Sequence, residues 1–206
     1  KLLISGESFF YDTDDLEDII EYYLDFEEIN KASKAIAYAI SIYPFEIFYQ
    51  IKKAEVAMAK KDVKAAIKIL DAARSIEPNN AEIAKVLGDC YSIILQHKRA
   101  IDCYLFALNQ EYETEEMLLR LARIHFLINN PKKAMSYLNA IPSDYIFDEF
   151  SLQEFIKLFF DFSQFDKCVE FLDRIIDEDP YNFPAWYFLG MTYQKLEDYP
   201  KAINAF

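Results

Sequence analysis

His97 and His125 are the only two histidines in the chain, and general-base or metal chemistry would begin with them. Neither has a companion His or Cys at metal-ligand spacing. His125 is expected to be a core residue. Cys90, Cys103 and Cys168 contain no C-x-x-C pair. Free Cys is among the most buried residue types, so all three are expected to be reduced core thiols. That points to a reducing compartment, the cytoplasm. Asp12, Asp14 and Asp15 begin like a calcium loop, but the required glycine and the closing Glu are missing. Three glycines in the whole chain leave no phosphate-cradling loop of the known types. A net charge of −13 repels phosphate, and no basic stripe interleaves with aromatics, so nucleic acid is not the expected partner. The chain is expected to be no enzyme and to hold no cofactor and no metal.

The chemistry that remains is charge. From Leu2 to Asn30 there are ten acidic residues and no basic one. Asp14, Asp15 and Glu17 lie at a helix start, where the dipole favours anions. Asp25, Glu27 and Glu28 lie near that helix's end, where it does not. Asp14–Asp18, Glu17–Glu21 and Glu21–Asp25 are like-charge pairs four apart, each costing about 0.2–0.5 kcal/mol. Two readings stand: a solvated, solubilising cap, or an anionic patch for a basic partner segment.

These residues are positioned by a repeating element. Ala32, Ala66, Ala100, Ala134 and Ala202 fall on a 34-residue period, and Cys168 fills the one gap. Four places after each comes a large apolar residue: Ile36, Leu70, Tyr104, Leu138, Leu172 and Phe206. Twelve places after it, Pro44, Pro78 and Pro180 recur, with Tyr112 and Ile146 between them. A fixed period of this length marks a stack of similar helical units. Leu16, Ile19, Ile20 and Tyr23 share one helix face, and Val169, Leu172, Ile175 and Ile176 share another. Asp62 and Asp198 can cap helices, and Pro131 and Pro200 suit a first helical turn. Pro44, Pro78 and Pro180 stop the second helix of a pair. Gly88 and Gly190 each cost about 1 kcal/mol of helix propensity, which a closely crossing partner helix would explain. No strand-like alternation persists.

Trp186-x-x-Leu189-Gly190-x-x-Tyr193, followed by Ala202 and Phe206, closely resembles the tetratricopeptide repeat (TPR) signature. Leu87-Gly88-x-x-Tyr91, with Ala100 and Tyr104, is a second good match. The repeats start at Thr13, Ile47, Ala81, Glu115, Glu149 and Phe183, after an N-terminal segment of residues 1–12, and the last one is truncated. The second repeat departs from the pattern, with Lys53 and Ala57 where Leu and Tyr are usual. The fourth has Ala122 and His125 where Gly and Tyr are usual. The resemblance implies an all-α, right-handed solenoid of stacked antiparallel helix pairs with a concave face. The unbroken period argues for a single array over 13–206.

Within each first helix, the second, fifth, ninth and twelfth places share a face. The resemblance implies that this face lines the concave groove. It carries Asp14, Glu17, Glu21 and Leu24 in the first repeat, and Phe48, Ile51, Glu55 and Met58 in the second. It carries Glu82, Lys85, Asp89 and Ser92 in the third, and Glu116, Leu119, Arg123 and Phe126 in the fourth. The fifth gives Phe150, Gln153, Lys157 and Phe160, and the sixth gives Pro184, Tyr187, Met191 and Gln194. The candidate partner-binding set is therefore Glu17, Glu21, Glu55, Glu82 and Asp89 at the acidic end. Arg123, Phe126, Phe150, Phe160, Tyr187 and Met191 make up the aromatic, mildly basic end.

The implied function is a protein–protein interaction scaffold that holds a basic-then-apolar peptide or helical segment. Family members that bind acidic chaperone tails use a Lys, Asn and Arg clamp across three repeats. No three consecutive repeats here supply it, so such tails are not expected partners. Two rivals accompany this reading. One is a homo-oligomer formed through the exposed last repeat, and the other is a regulatory or substrate-recruiting arm of a larger enzyme or sensor. The chain lacks an initiator Met and stops inside its last repeat, so it is expected to be part of a longer protein. It contains no apolar stretch long enough for a membrane span.

Overall fold

The protein is described by a computed structural model covering residues 11–142 and 144–206. Those residues form twelve helices in six consecutive pairs and no strand. The pairs are α1 (Thr13–Asp25) with α2 (Ile29–Ile42), α3 (Ile47–Ala59) with α4 (Val63–Ile76), and α5 (Ala81–Ile93) with α6 (His97–Asn109). They continue as α7 (Thr114–Leu127) with α8 (Pro131–Leu138), α9 (Glu149–Asp161) with α10 (Phe165–Glu178), and α11 (Phe183–Lys195) with α12 (Tyr199–Ala205). The chain divides into two compact units, Lys1–Ala107 and Leu108–Phe206. The division falls near Tyr112, where the proline column lapses.

Side chains start the helices. Asp62 accepts from the Ala65 amide at 3.1 Å and Asp198 from the Lys201 amide at 3.3 Å. Asp12, Asn80, Asn130, Asp148 and Asn182 cap in the same way. Such a cap contributes about 1 kcal/mol by satisfying an otherwise orphaned amide. Asp12 is thus a helix cap of the acidic run. Pro131 and Pro200 lie in the first helical turns. Helices α2, α4 and α10 end two residues before Pro44, Pro78 and Pro180.

The first helix of every pair ends in the same way, and no glycine is involved. Glu27, Lys61, Leu95, Asn129, Ser163 and Glu197, again 34 residues apart, all have left-handed backbones with φ between 51° and 63°. Each donates its amide to the carbonyl three residues back, and the next residue donates to the carbonyl five back. Examples are Leu95 to Ser92 and Gln96 to Tyr91. This is the Schellman closure of a helix, repeated six times.

The small-residue column lies in the interior. Ala32, Ala66, Ala100, Ala134, Cys168 and Ala202 are all buried. In the N-terminal unit, Leu16, Ile20, Ile36 and Val56 pack around fully buried Tyr49. Tyr49 donates its hydroxyl to the Thr13 carbonyl at 3.3 Å. In the C-terminal unit, Phe126, Phe155, Phe159 and Phe171 pack with Leu118, Leu138 and Leu172. Helix α8 is short, ending at Leu138, where the Asn139 and Ala140 amides bond back to the Met135 and Tyr137 carbonyls. The chain after α8 returns Ile141 and Phe147 to the core, where Phe147 lies edge-on to Phe171 at 5.2 Å.

The glycines lie at close crossings. A Cβ on Gly88 would fall 2.4 Å from the Tyr104 ring, and one on Gly190 would fall 2.6 Å from the Phe206 ring. The lost propensity at both positions follows from these approaches.

Candidate functional site

The candidate binding residues divide between the two compact units, the acidic set in one and the aromatic set in the other.

In the N-terminal unit, Glu17 is half-buried on α1. Burial pushes its carboxyl above the usual carboxylate range, and the charges of Asp14, Glu46, Glu21 and Asp18 push it the same way. One cation moderates this face. Lys52 Nζ lies 3.6 Å from Glu21 and 3.4 Å from Glu55, and sits over the Phe48 ring at 5.1 Å. The groove pattern omitted Lys52 because it occupies the sixth place of its helix. Its long side chain crosses to the carboxylates from there, and only the packing of α3 beside α1 brings the three together. Glu82 and Asp89 are half-buried on α5. Asp89 accepts the Tyr104 hydroxyl at 2.7 Å, so part of its role is to hold α6 against α5.

In the C-terminal unit, one residue is a correction. Phe126 is completely buried, with its ring edge-on to Phe159 at 4.9 Å and tilted against Phe162 at 6.3 Å. At the twelfth place of its helix, it lies under the end of the next first helix, α9. It is core, and no partner reaches it. Ile51, at the fifth place of α3, is likewise fully buried. Arg123 is exposed, and its Nε lies 2.9 Å from a Glu154 carboxylate oxygen. Phe150 and Tyr187 are the open aromatics, 77% and 56% exposed. Phe160 is half-buried, edge-on to Phe165 at 5.5 Å, and Met191 is half-buried on α11.

His125 is buried and stacks on Tyr137 at 5.4 Å, with Nδ1 lacking a hydrogen-bond partner. Burial pulls its pKa down, and Lys133 adds to this. The cysteines form no disulfide. Burial pushes the Cys90 and Cys168 thiols up to about 12 and Cys103 to about 11. Cys168 lies 3.3 Å from the Thr192 hydroxyl inside the core. Thiols held this far from ionisation are packing groups, not nucleophiles. Among the described residues no group of His, Cys, Asp and Glu is arranged to hold a metal. No described helix is long and apolar enough to cross a membrane.

Consecutive antiparallel pairs sharing one period define an all-α, helical-repeat solenoid. The tetratricopeptide repeat family model matches residues 183–206, the last of these pairs. The family's sequence match is confined to that repeat, and the fold of the chain is similar to that of solved tetratricopeptide-repeat structures. Similar solved structures include YrrB, described as a TPR protein with an unusual peptide-binding site. It is 21% identical over 84% of this chain and 90% of its own, with a TM-score of 0.60. Another is PilF of Pseudomonas aeruginosa, 16% identical over 93% of this chain and 87% of its own, with a TM-score of 0.72. The Cut9–Hcn1 assembly of the APC/C is 19% identical over 95% of this chain and 39% of that one, with a TM-score of 0.68. No curated protein matches the sequence.

Proposed function

We propose that the chain is a protein–protein interaction scaffold that binds a peptide or helical segment with basic and apolar residues. We read it as six repeats starting at Thr13, Ile47, Ala81, Glu115, Glu149 and Phe183. The observation that carries the reading is the crowding at Glu17. Its half-buried carboxylate is raised by its own burial and by four neighbouring acids. A cationic side chain placed there relieves a repulsion that the free chain must otherwise bear. Glu21 and Glu55 extend this acidic face, with Lys52 already between them. Phe150 and Tyr187 are largely exposed aromatic groups, the kind of side chain that anchors a partner, and Tyr187 is held from one side by the Phe206 ring at 5.9 Å. The peptide-binding site described for YrrB is a property of that protein and agrees with this reading.

The test is affinity capture from native cell extract with the wild-type chain, the Glu17→Gln/Glu21→Gln pair and the Phe150→Ala/Tyr187→Ala pair. The expected partner is rich in Lys or Arg, is lost at moderate salt, and is depleted by both double variants. Equal recovery by all three baits would reject the model.

A second reading has its own observation. Helices α11 and α12 expose Phe183, Tyr199, Ile203 and Phe206. Beside them, a depression of about 460 Å³ is lined by Trp186, Tyr187 and Phe206 among others. An apolar face of this kind suits a second copy of the chain. Sedimentation across a wide concentration range checks it, and a chain that stays monomeric throughout would exclude self-association.

A further inference from the structure

The second repeat breaks its own packing rule. At the seventh place of the first helix, the other repeats carry Ile19, Leu87, Leu121, Phe155 and Leu189, all buried or half-buried. Here the residue is Lys53, and it is exposed. At the eleventh place, where Tyr91 and Phe159 are buried, this repeat has only Ala57. The seam that α3 forms with α2 and α4 has therefore lost two large apolar side chains.

The loss leaves room. Two adjoining depressions, of about 270 and 530 Å³, open on either side of Lys53 and share it as a lining residue. The smaller runs along Ile36, Ile40 and Val56. The larger runs along Ile47, Ile69 and Ile76, with Lys68 at its edge. Among the described residues, no acidic group pairs with Lys53 or Lys68. Lys53 and Lys68 thus place two positive charges beside apolar depressions in a chain of net charge −13. The seam lies on the side of α3 opposite Glu55, because the fourth, seventh and eleventh places of a helix face away from the second, fifth and ninth. It is separate from the acidic face.

We propose that this seam is a second docking site, for an acidic peptide segment of a partner protein that carries Leu or Phe beside Asp or Glu. The apolar side chain occupies the depressions beside Lys53, where the other repeats carry a large apolar residue. The flanking carboxylates pair with Lys53 and Lys68. The two cations make the occupant acidic, the opposite of the ligand proposed for the Glu17 face.

A random dodecapeptide library selected on the intact chain tests this, followed by fluorescence anisotropy of the selected, labelled peptides. The expected winners combine Asp or Glu with Leu or Phe. Lys53→Leu restores the residue type of the column, so it should fold with an unchanged or higher Tm. It should also weaken these peptides by about tenfold or more. Lys68→Gln should weaken them less, and Glu17→Gln not at all. Selection of basic peptides only, or acidic peptides that bind Lys53→Leu at full strength, would overturn the proposal. Self-association abolished by Lys53→Leu would also overturn it, by making the occupant a second copy. Binding of basic peptides at Glu17 is a separate result, and the two sites can fail independently.

Discussion

At the scale of single residues, the departures from the repeat pattern carry the most consequence. His125 stands where Tyr91, Phe159 and Tyr193 stand in neighbouring repeats, and it leaves a buried ring nitrogen without a partner. Its pKa is lowered in the folded chain, so the unfolded chain takes up a proton first as pH falls. The contribution of the neutral ring is present above the unfolded value near 6.5 and is lost as pH falls towards the folded value. His125→Phe should raise stability at neutral pH by about 1 kcal/mol, because it removes the unsatisfied nitrogen. It should also flatten the acid limb. Urea unfolding at pH 7.5 and 5 checks both, and an unaltered difference between the two pH values would contradict the assignment.

At the scale of elements, the helix pair is defined by how it closes and how tightly it crosses. Six left-handed residues end the first helices, and none is glycine. An L-residue in that region costs about 1–2 kcal/mol, part of which glycine recovers. Leu95 is exposed and loses little packing on truncation. Leu95→Gly should therefore stabilise the chain by about 0.5–1 kcal/mol, read as a rise in the urea midpoint at constant m. The crossings respond differently from each other. Tyr104 is buried and tied to Asp89, so its ring cannot yield, and Gly88→Ala should cost about 1–3 kcal/mol by overpacking. Phe206 is 59% exposed and can swing aside. Gly190→Ala should be near neutral there, because the helix propensity it gains offsets the displaced ring. Equal losses at the two glycines, measured by thermal melting, would show that the backbone crossing and not the ring sets the limit.

At the scale of the whole molecule, charge works against the folded state. A net charge of −13, concentrated in the run from Leu2 to Asn30, is self-repulsive. Moving from low to physiological ionic strength should raise Tm, since exposed charges more than about 8–10 Å apart become screened. The Glu17→Gln/Glu21→Gln pair should reduce this salt dependence. A Tm that falls with salt would mean that the Lys52 bridges outweigh the repulsion. On the function proposed above, the same field would steer cationic segments towards the Glu17 face.

The period, the helix pairs, the caps at Asp62 and Asp198 and the small-residue column were legible in the sequence. Each rests on spacing along one helix or on a side chain bonding its own backbone, and such relations are local. The column positions of Ala66, Gly88 and Pro78 already carry that information. The left-handed closures were not legible, because Glu, Lys, Leu, Asn and Ser share no type that marks the conformation. Surface identity was not legible either. Phe126 and Phe160 occupy the same column, yet one is sealed under α9 and the other remains half open. Lys52 reached Glu21 from a position that the face pattern excluded. Lys53 was visible as a departure, but the two depressions beside it became visible only with α2 and α4 in place. Periodicity determines which way a side chain leaves its own helix. What it then meets depends on neighbouring helices distant in sequence, and only their packing decides between core, ion pair and open groove.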